Sequence, residues 1–561
     1  MATSYKKSLS SDFSGNLRPG QLQNDMNGST GIGPNCVTVY NVNDDVNIVF
    51  DSSLTSSEQI VMDNVVTNYS YTTITPQAVT PGYDAFVSND VNFPGDFTSV
   101  SAAFAAGRSS VYVKSGVYIE TSDVIIPDGG QLFGEMPGAV YIVLVAGNSV
   151  KIDGSGGVKE TTGTITIPND SNGVTGAGTS FTNLSVGNLI SLGTNYYEIE
   201  TIESDTHVTL KDTYKGRTLT NVTYRAHAMH TGSRIQNLII ANSSGTGLYV
   251  RGLRHGNLRS IAIVRCSKGL ELIDCGDLSI HEIIPTFSTN DGITVDDSIS
   301  ISMHTINVFG GSADGISITG NSVNIIMESC SCENNNGNGV TMESPSKFIN
   351  VIDTILKFNN GHGLYGATGT LCTTISDSEI SYNGGLGTHI GGDNVVVSDC
   401  FVVGNGATGM CVGGCNIIEG NLVCDNGAAG ILVPSKSKSC IISDNSITNN
   451  DGDGIRILST KNGVSNNIIK GSTGDGIYLD GNKNTLNANT ISESVGNGIY
   501  LLGSADQNIL SCNIVCENAG NGLELGTGAE KNIVTSNNLD GNTGVNYLDN
   551  GTGTVETANI T

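Results

Sequence analysis

The chain has 561 residues and a formal net charge of −27, from 26 Lys and Arg against 53 Asp and Glu. This balance excludes proteins that wrap nucleic acid, which need clustered basic residues, and it disfavours strongly anionic glycans as ligands. No stretch approaches the ~20 consecutive apolar residues of a membrane-spanning helix, so we expect no membrane insertion.

Residues 1–75 are predicted to form a small α+β head. Its polar beginning, rich in Gly, Ser and Asn, is expected to hold little regular structure. Alternating apolar residues predict strands at Cys36–Tyr40 and Val46–Phe50. A helix is predicted over Thr55–Asn68, with Ser56 as its N-terminal cap. A unit of this size is marginal alone, so the head is expected to pack on the rest of the chain or to dock to a larger assembly.

Residues 76–154 are predicted to contain a linker, a capping helix and the first coils of a repeat domain. The helix is expected to begin at Asp96 and to end at Gly107, because apolar residues recur on one side between them. Such a cap keeps water from the end of a repeat core. Short alternating runs then predict strands at Val111–Val113, Val117–Ile119 and Val124–Ile126.

The pattern changes over residues 155–228, where short strands alternate with turns rich in glycine. The predicted strands include Ile165–Ile167, Leu189–Ser191, Tyr197–Ile199 and Val208–Leu210. Several short strands with turn signals predict a small antiparallel barrel or sandwich. We expect it to be inserted between coils of the repeat domain, because coil-like strands flank it on both sides.

Residues 229–548 repeat one short phrase: a glycine, an aliphatic residue, any residue and another apolar residue. Its fourteen copies, of which those at Gly363 and Gly387 are weaker, lie about 23 residues apart and begin at Gly247, Gly269, Gly292, Gly315, Gly339, Gly363, Gly387, Gly409, Gly430, Gly454, Gly476, Gly498, Gly522 and Gly544. A fixed period of this length indicates a solenoid, and the short alternation indicates strands. We therefore predict an all-β fold, a parallel β-helix with about fourteen clear C-terminal coils, followed by a polar tail at residues 549–561.

Asparagine and cysteine recur through these coils in ways that indicate structure. One asparagine per coil falls at the same phase and is predicted to stack from coil to coil: Asn421, Asn445, Asn467, Asn489, Asn513 and Asn538. Several cysteines are expected to be small buried residues, namely Cys330, Cys332, Cys411, Cys415, Cys512 and Cys516. No cysteine spacing indicates a zinc site, and we expect neither a metal nor a cofactor.

The segments that open the repeat domain resemble a known family. The runs Asp96–Phe104, Val111–Glu120 and Ile125–Gly129 resemble the entry to a pectin-lyase-like right-handed parallel β-helix, and the coils after Gly245 resemble repeat-rich members of that superfamily. The resemblance implies a right-handed β-helix. The superfamily includes polysaccharide lyases, hydrolases, esterases and non-catalytic spikes, so the fold alone does not give the function.

Two shorter segments resemble modules in virion proteins of phages and large DNA viruses. They are Asp44–Thr55 in the head and Gly176–Phe181 in the insert. This resemblance implies a tailspike- or fibre-like component that is a homotrimer, contacts other virion proteins through its head and faces host polysaccharide. The first residues lack the apolar run of a secretory signal, so we expect synthesis in the cytoplasm of the host and assembly into the virion.

Three residues are candidates for catalysis. Polygalacturonase-like hydrolases carry an Asn-Thr-Asp, an Asp-Asp and a Gly-His-Gly on successive coils, with two carboxyl groups flanking the scissile bond. Asp291, Asp314 and His362 are the closest counterparts in this sequence. The same position before glycine holds Asp or Asn in many other coils, where those residues suit a turn. A non-catalytic role is therefore favoured over an enzymatic one.

Four residues are candidates for glycan binding. The outward residue of each phrase should form a stripe along the coils, and near the C-terminus that stripe reads Arg456, Tyr478, Tyr500 and Glu524. The two tyrosines could stack on sugar rings while the charged residues bind hydroxyls. Alternatively, stacked aromatics could stabilise the sheet face or lie between subunits.

Three functions remain open on the sequence alone. We favour a virion spike, fibre or capsid-associated protein whose β-helix contacts host glycan. A polysaccharide depolymerase, either a hydrolase or a lyase, is the second hypothesis. A purely structural virion component is the third.

Overall fold

The computed structural model describes residues 3–8, 36–42, 45–50, 52–56, 58–59, 62, 83–154, 158–192, 195–227, 230–437 and 439–561. The chain divides into two compact units, Met1–Ala78 and Val79–Thr561.

The first unit contains a three-stranded antiparallel sheet. Its strands are β1 (Thr3–Ser8), β2 (Cys36–Val42) and β3 (Asp45–Phe50), in the order β1-β3-β2. Strands were predicted at the last two places. Strand β1 was not predicted, because its polar sequence gives no alternation. It forms by pairing along its whole length with β3, from Thr3 opposite Phe50 to Ser8 opposite Asp45.

The helix that follows β3 is capped one residue earlier than predicted. Residues 56, 58, 59 and 62 are helical. The Thr55 amide donates to the Glu58 carboxylate (2.7 Å), and the Glu58 amide donates to Thr55 Oγ1 (3.3 Å). This reciprocal pair is a capping box, so Thr55 is the cap rather than Ser56. The predicted end of this helix, at residues 63–68, lies outside the described residues.

The second unit is a parallel β-helix in which each coil adds strands to stacked parallel ladders. Ladder 1, a sheet of 16 strands, has one strand per coil. In chain order its strands are Val124–Ile125, Val150–Asp153, Thr246–Arg251, Lys268–Ile273, Ile293–Asp296, Ile316–Thr319, Val340–Met342, Leu364–Gly366, Thr388–Ile390, Met410–Val412, Ile431–Val433, Ile455–Ile457, Ile477–Leu479, Ile499–Leu501, Leu523–Leu525 and Tyr547–Asp549.

Ladders 2 and 3 belong to one continuous sheet of 32 strands. Three long strands cross both ladders: Arg234–Ala241, Asn257–Val264 and Gly276–Thr286. The other strands of ladder 2 are Ala85–Val87, Ser110–Val113, Gln131–Gly134, Ile299–His304, Val323–Glu328, Lys347–Ile352, Thr374–Ser376, Val396–Ser398, Ile417–Glu419, Ile441–Ser443, Gly463–Ser465, Thr485–Asn487, Ile509–Ser511, Ile533–Thr535 and Val555–Thr557. The other strands of ladder 3 are Gly116–Glu120, Val140–Leu144, Asn307–Phe309, Ser331–Glu333, Ile355–Lys357, Glu379–Ser381, Phe401–Val403, Leu422–Cys424, Ser446–Thr448, Ile468–Lys470, Thr490–Ser492 and Ile514–Cys516. The short strands His230–Thr231 and Leu253–Arg254 precede ladder 2 in their coils.

The glycine phrase marks the strands of ladder 1, as predicted, with one correction. Thirteen copies lie in register, with the first and third residues after the glycine facing the core. In the last copy, Leu523 pairs with Tyr547 rather than with Val545, and Val545 is 53% exposed. The turn before this strand is two residues longer than the phrase implies, so the apolar residue nearest the glycine is not the one that enters the core.

The helix that caps the N-terminal end of the β-helix begins later than predicted. It spans Val100–Ala105, and its N-cap is Ser99, whose side chain accepts from the Ala102 amide. Asp96 instead accepts a hydrogen bond from the Phe86 amide (2.9 Å), next to the first strand of ladder 2. Gly107 follows the helix with φ +82°, so it is the predicted stop.

The inserted segment forms an eight-stranded antiparallel sheet. Its strands are Val158–Glu160, Thr164–Ile167, Ser171–Ala177, Leu189–Leu192, Asn195–Ser204, His207–Tyr214, Leu219–Val222 and Ala226–His227, with a 3₁₀ turn at Phe181–Asn183. Phe181, Ile190 and Leu210 lie at the centre of its own core. The ladder 1 strands on either side of the insert pair directly, with Val150 opposite Leu248. The insert therefore interrupts one coil without disturbing the stack of ladder 1 strands. The limits of the five segments, 1–75, 76–154, 155–228, 229–548 and 549–561, stay predictions.

An ionic cluster joins the insert to the β-helix. Arg225 of the insert pairs with Asp297 and lies 3.9 Å from Asp274, whose side chain is 4% exposed. Burial raises the pKa of Asp274, and the nearby carboxylate of Asp297 raises it further. The buried guanidinium of Arg254 lies 4.9 Å from the ring centre of Tyr196. Asp296 ends a ladder 1 strand, and Asp297, directly after it, contributes to docking the insert.

Buried asparagines stack between coils, as predicted, in more than one column. In the predicted column each side-chain amide donates to the next, for example Asn445 to Asn467 and Asn467 to Asn489, both at 2.9 Å. The member after Asn513 is Asn537, not Asn538, because only the former side chain points inward. Two more columns run through Asn335, Asn359, Asn383, Asn405, Asn426 and Asn450 and through Asn462, Asn484, Asn508 and Asn532.

The cysteine prediction is partly wrong. Cys330, Cys332 and Cys411 are buried, but Cys415 and Cys512 are exposed and Cys516 is half-buried. The exposed pair lie where the chain turns into or out of a strand, so their side chains point to solvent.

The final coil places charge where earlier coils are apolar. Asp549 pairs with Leu525 on ladder 1, and Glu556 pairs with Val534 on ladder 2. Leu525 and Val534 are both fully buried. Another β-helix stacked end-on here would have to bury two carboxylates, which is unfavourable.

Candidate polysaccharide-binding face

Ladder 1 aligns the four predicted glycan-binding residues on adjacent strands. In each of these strands the first and third residues face the core and the middle one faces out. Arg456 lies beside Tyr478, Tyr478 beside Tyr500, and Tyr500 beside Glu524. Neighbouring strands are roughly 4.8 Å apart, so the four side chains form a continuous row about 14 Å long. We call this row the aromatic stripe.

Arg456 is held at one end of the stripe by two contacts. Its guanidinium carbon lies 4.3 Å from the centre of the Tyr478 ring, a cation–π geometry. Its Nη1 donates to Asp453 Oδ2 at 3.1 Å. Both contacts orient a planar donor group toward solvent, where it can bind the oxygens of a ligand.

The two tyrosines and Glu524 continue the stripe. The ring centres of Tyr478 and Tyr500 are 5.8 Å apart with an interplanar angle of 52°. Burial raises the pKa of both phenols, so they stay protonated at neutral pH. Glu524 accepts a hydrogen bond from Asn521 Nδ2 at 2.8 Å, which fixes its carboxylate beside Tyr500.

Asp475 joins this face and was not predicted as a site residue. Burial raises its pKa to about 6, a hydrogen bond from the Asn497 amide (2.7 Å) lowers it, and the carboxylates of Asp453 and Glu524 raise it. The carboxyl group therefore changes charge just below neutral pH. Sequence reasoning treated this position only as a turn, although it comes three residues before Tyr478.

The three catalytic candidates lie in one column of stacked turns. The Asp314 amide donates to Asp291 Oδ1 (3.2 Å), and the Leu386 amide donates to His362 Nδ1 (2.9 Å). Asn338 lies in the coil between Asp314 and His362. Its backbone amide donates to Asp314 Oδ1, and its own Oδ1 accepts from the His362 amide. Asp291 and Asp314 thus occupy adjacent coils and His362 lies two coils further on, as the spacing predicts. Each of the three supports the next turn, and a catalytic role for them stays a prediction.

Aromatic rings gather beside His362. The Tyr365 and His389 rings are nearly parallel, with centres 5.3 Å apart, and the His362 ring lies 5.8 Å from Tyr365 and 5.9 Å from His389. Burial lowers the pKa of both histidines, so both rings are neutral at pH 7. Burial has the opposite effect on the acidic candidate Asp291, whose pKa it raises. This ring cluster is a second aromatic element of the ladder 1 face.

A groove of about 540 Å³ lies on another face, at the edge of ladder 2. Its lining residues are Asn324, Phe348, Asn350, Cys372, Thr374 and Asn394. None of the predicted site residues lines this groove. The aromatic stripe is instead an open, shallow surface along a flat sheet.

The residues that the structure describes contain neither a clustered metal site nor a membrane-spanning helix. Among these residues no group of three or more His, Cys, Asp or Glu side chains is placed to hold a metal ion. No helix in the same ranges is long and apolar enough to cross a bilayer.

Solved structures with the same kind of fold differ widely from this chain in sequence. A mannuronan C-5 epimerase A-module of Azotobacter vinelandii is 13% identical, with 82% of this chain and 92% of that chain covered and a TM-score of 0.28. A tailspike of Pseudomonas phage phi297 is 13% identical, with 81% and 73% covered and a TM-score of 0.36. The catalytic domain of an α-1,3-glucanase is 9% identical, with 92% and 72% covered and a TM-score of 0.33. These similarities concern the fold alone.

No curated protein sequence is significantly similar to this chain. The family model of the right-handed β-helix region matches residues 227–373 and 413–560, which together are more than half of the chain. The match confirms the predicted handedness, and the chain belongs to the right-handed β-helix family.

Proposed function

We propose that this chain is a spike- or fibre-type virion protein whose β-helix binds polysaccharide of the host surface along the aromatic stripe. The observation that carries the proposal is the alignment of Arg456, Tyr478, Tyr500 and Glu524 on four successive strands. Half-buried tyrosines offer apolar rings with polar ends, and fixed charged groups beside them can bind hydroxyls.

The charges around the stripe favour a neutral or weakly charged glycan. Arg456 is the one basic residue of the stripe, and Asp453 already neutralises it. Glu524 at the other end of the stripe and Asp475 beside it add negative charge. A polyanionic chain would meet net negative charge here. Sugar hydroxyls, in contrast, can accept from the guanidinium and donate to the carboxylates.

The virion role rests on the head and insert segments that resemble modules of virion proteins. In this proposal the head contacts other virion proteins, and the β-helix extends toward the host as a homotrimer. The chain is made in the cytoplasm of the host and assembled there into the particle.

The proposal is tested by glycan binding with paired variants. Full-length protein is applied to an array of neutral and acidic microbial polysaccharides, and hits are quantified by affinity electrophoresis. Tyr478→Ala combined with Tyr500→Ala should weaken binding at least tenfold, about 1.4 kcal/mol. The matched control is Tyr382→Ala, an exposed tyrosine that stacks on Phe358 on a different face. Equal binding by both variants would overturn the assignment of the stripe.

Polysaccharide cleavage is a second candidate function, favoured by one observation. Asp475, whose pKa is about 6, lies on the same open face as the stripe, and a carboxyl group that titrates near neutral pH suits general acid–base catalysis. Release of reducing ends or of unsaturated sugars from a bound polysaccharide, abolished by Asp475→Asn, would establish this activity. Binding without cleavage leaves the binding role, and the absence of both indicates a purely structural component.

A further inference from the structure

One corner of the β-helix carries no charge over its last five coils. The corner lies where ladder 2 turns into ladder 3, and each coil contributes four residues that are not buried. We call these twenty positions the neutral corner. Its members are Gly463, Ser465, Asn466, Ile468, Thr485, Asn487, Ala488, Thr490, Ile509, Ser511, Cys512, Ile514, Ile533, Thr535, Ser536, Asn538, Val555, Thr557, Ala558 and Ile560.

The charged residues of these coils all lie outside this corner. Residues 461–561 include ten acidic and four basic residues, and all of them lie at other positions. In the five preceding coils the turn between ladders 2 and 3 is acidic in four, at Asp353, Asp377, Asp399 and Asp444. Below Asp444 the same turn holds Asn466, Ala488, Cys512, Ser536 and Ala558. The column thus changes from acidic to neutral at one coil.

The neutral corner is also apolar and exposed. Ile468 is 55% exposed, Ile514 45%, Val555 55% and Ile560 61%. On the ladder 2 side, aliphatic residues lie on three adjacent strands, at Ile509, Ile533 and Val555. On the ladder 3 side they alternate with Thr490 and Asn538, at Ile468, Ile514 and Ile560. A row of exposed aliphatic residues in a chain this acidic indicates a surface that is covered by a partner.

We infer that the neutral corner is the surface through which copies of this chain associate side by side. The inference rests on the homotrimer of the proposed function and identifies its interface. A chain with a net charge of −27 repels its own copies, and the neutral corner is the place where copies can approach without bringing carboxylates together. Along ladder 1 of the same coils, in contrast, Asp475 and Glu524 would face their counterparts.

The shape of the surface favours three copies over two. The corner is convex, with ladder 2 on one side and ladder 3 on the other. Around a three-fold axis parallel to the β-helix, each side of the corner contacts a different neighbour. A two-fold pairing would use one flat ladder and leave the other row of isoleucines exposed. The contact spans five strands, about 20 Å along the axis, and ends at Asp444, where carboxylates would converge.

The first test is the mass of the full chain by size-exclusion chromatography with light scattering. The wild type should be a trimer, and Ile514→Glu combined with Ile533→Glu should be monomeric with an unchanged circular dichroism spectrum. The control Val495→Glu replaces a more exposed aliphatic residue, 63% exposed, outside the corner and should remain trimeric. A monomeric wild type would overturn both the trimer and the interface. A trimer that survives the double substitution would overturn only the interface.

The second test uses Cys512, which is exposed in the corner, and its main readout comes from the wild type. Copper–phenanthroline oxidation of the wild type should give a disulfide-linked dimer on a denaturing gel, because thiols of neighbouring copies meet near the axis. Cys512→Ser should abolish this band, and Cys415→Ser, which removes another exposed thiol, should keep it. A band that persists in Cys512→Ser, or no band from a trimeric wild type, would contradict the inference.

Discussion

Asn467 is the most informative single residue for the stability of the coils. Its side chain is fully buried. Its Oδ1 accepts from the backbone amide of Asn445 (3.1 Å) and from that residue's Nδ2 (2.9 Å). Its own Nδ2 lies within donor distance of the Ile442 carbonyl (2.9 Å), the Ser465 carbonyl (3.0 Å) and Asn489 Oδ1 (2.9 Å).

Asn467→Ala removes all of these bonds at once. The Asn445 amide then has no acceptor in a site that water cannot reach, and each buried polar group left unpaired costs about 1–3 kcal/mol. Some of the affected groups keep another partner, so we expect a loss of about 3 kcal/mol in the free energy of unfolding. The effect should be local, because each coil contacts only its neighbours.

The assay combines urea unfolding with hydrogen exchange measured on peptides. Peptides from residues 441–490 should lose protection in Asn467→Ala, while distant coils keep theirs. The control is Asn336→Ala, which removes an exposed asparagine that accepts one bond from Asn360 (2.9 Å) and should change stability by less than about 0.5 kcal/mol. Equal protection in the two variants would refute the structural role of the asparagine columns.

Three further predictions follow from other parts of the β-helix. The folded-state pKa of Asp475, about 6, exceeds its ordinary value of 3.8, so its ionisation destabilises the fold above pH 6 and not below pH 4. Asp475→Asn should therefore stabilise the protein by about 1–2 kcal/mol at pH 8 and by nothing at pH 4, and urea unfolding at both values checks this. Asp549→Leu combined with Glu556→Val should let copies stack end to end, giving a larger mass by light scattering; an unchanged mass would contradict the role of these carboxylates. Arg225→Gln should release the insert, since it leaves Asp297 without its cation, and limited proteolysis should then cut the insert before the β-helix.

Much of the fold could be predicted from the sequence, because in a stack of parallel coils the length of the sequence repeat determines which residues are neighbours. Once a glycine phrase recurs every ~23 residues, equivalent residues of adjacent coils must lie side by side. Arg456 and Tyr478 could therefore be placed next to each other without a structure. The helix caps and the lengths of turns were harder to predict from the sequence. Ser99 replaces Asp96 as a helix cap, and Val545 falls out of register, because each depends on local hydrogen bonds that the apolar pattern does not carry.

The candidate site was predicted only in part. The aromatic stripe followed from register, but the role of Asp475 did not. Its pKa depends on burial and on Asp453 and Glu524, which lie 22 and 49 residues away in the sequence. The neutral corner was also missed. It becomes visible only when four separate columns are seen to meet at one edge, whereas the sequence shows those residues scattered among charged ones.

The central claim is that the aromatic stripe binds polysaccharide, and one measurement tests it most directly. Binding of the full-length protein to the polysaccharide array is compared between the wild type, the Tyr478→Ala and Tyr500→Ala double variant, and Tyr382→Ala. The account predicts binding to a neutral glycan that falls at least tenfold in the double variant alone. Undiminished binding by the double variant, or a wild type that binds nothing on the array, would contradict it.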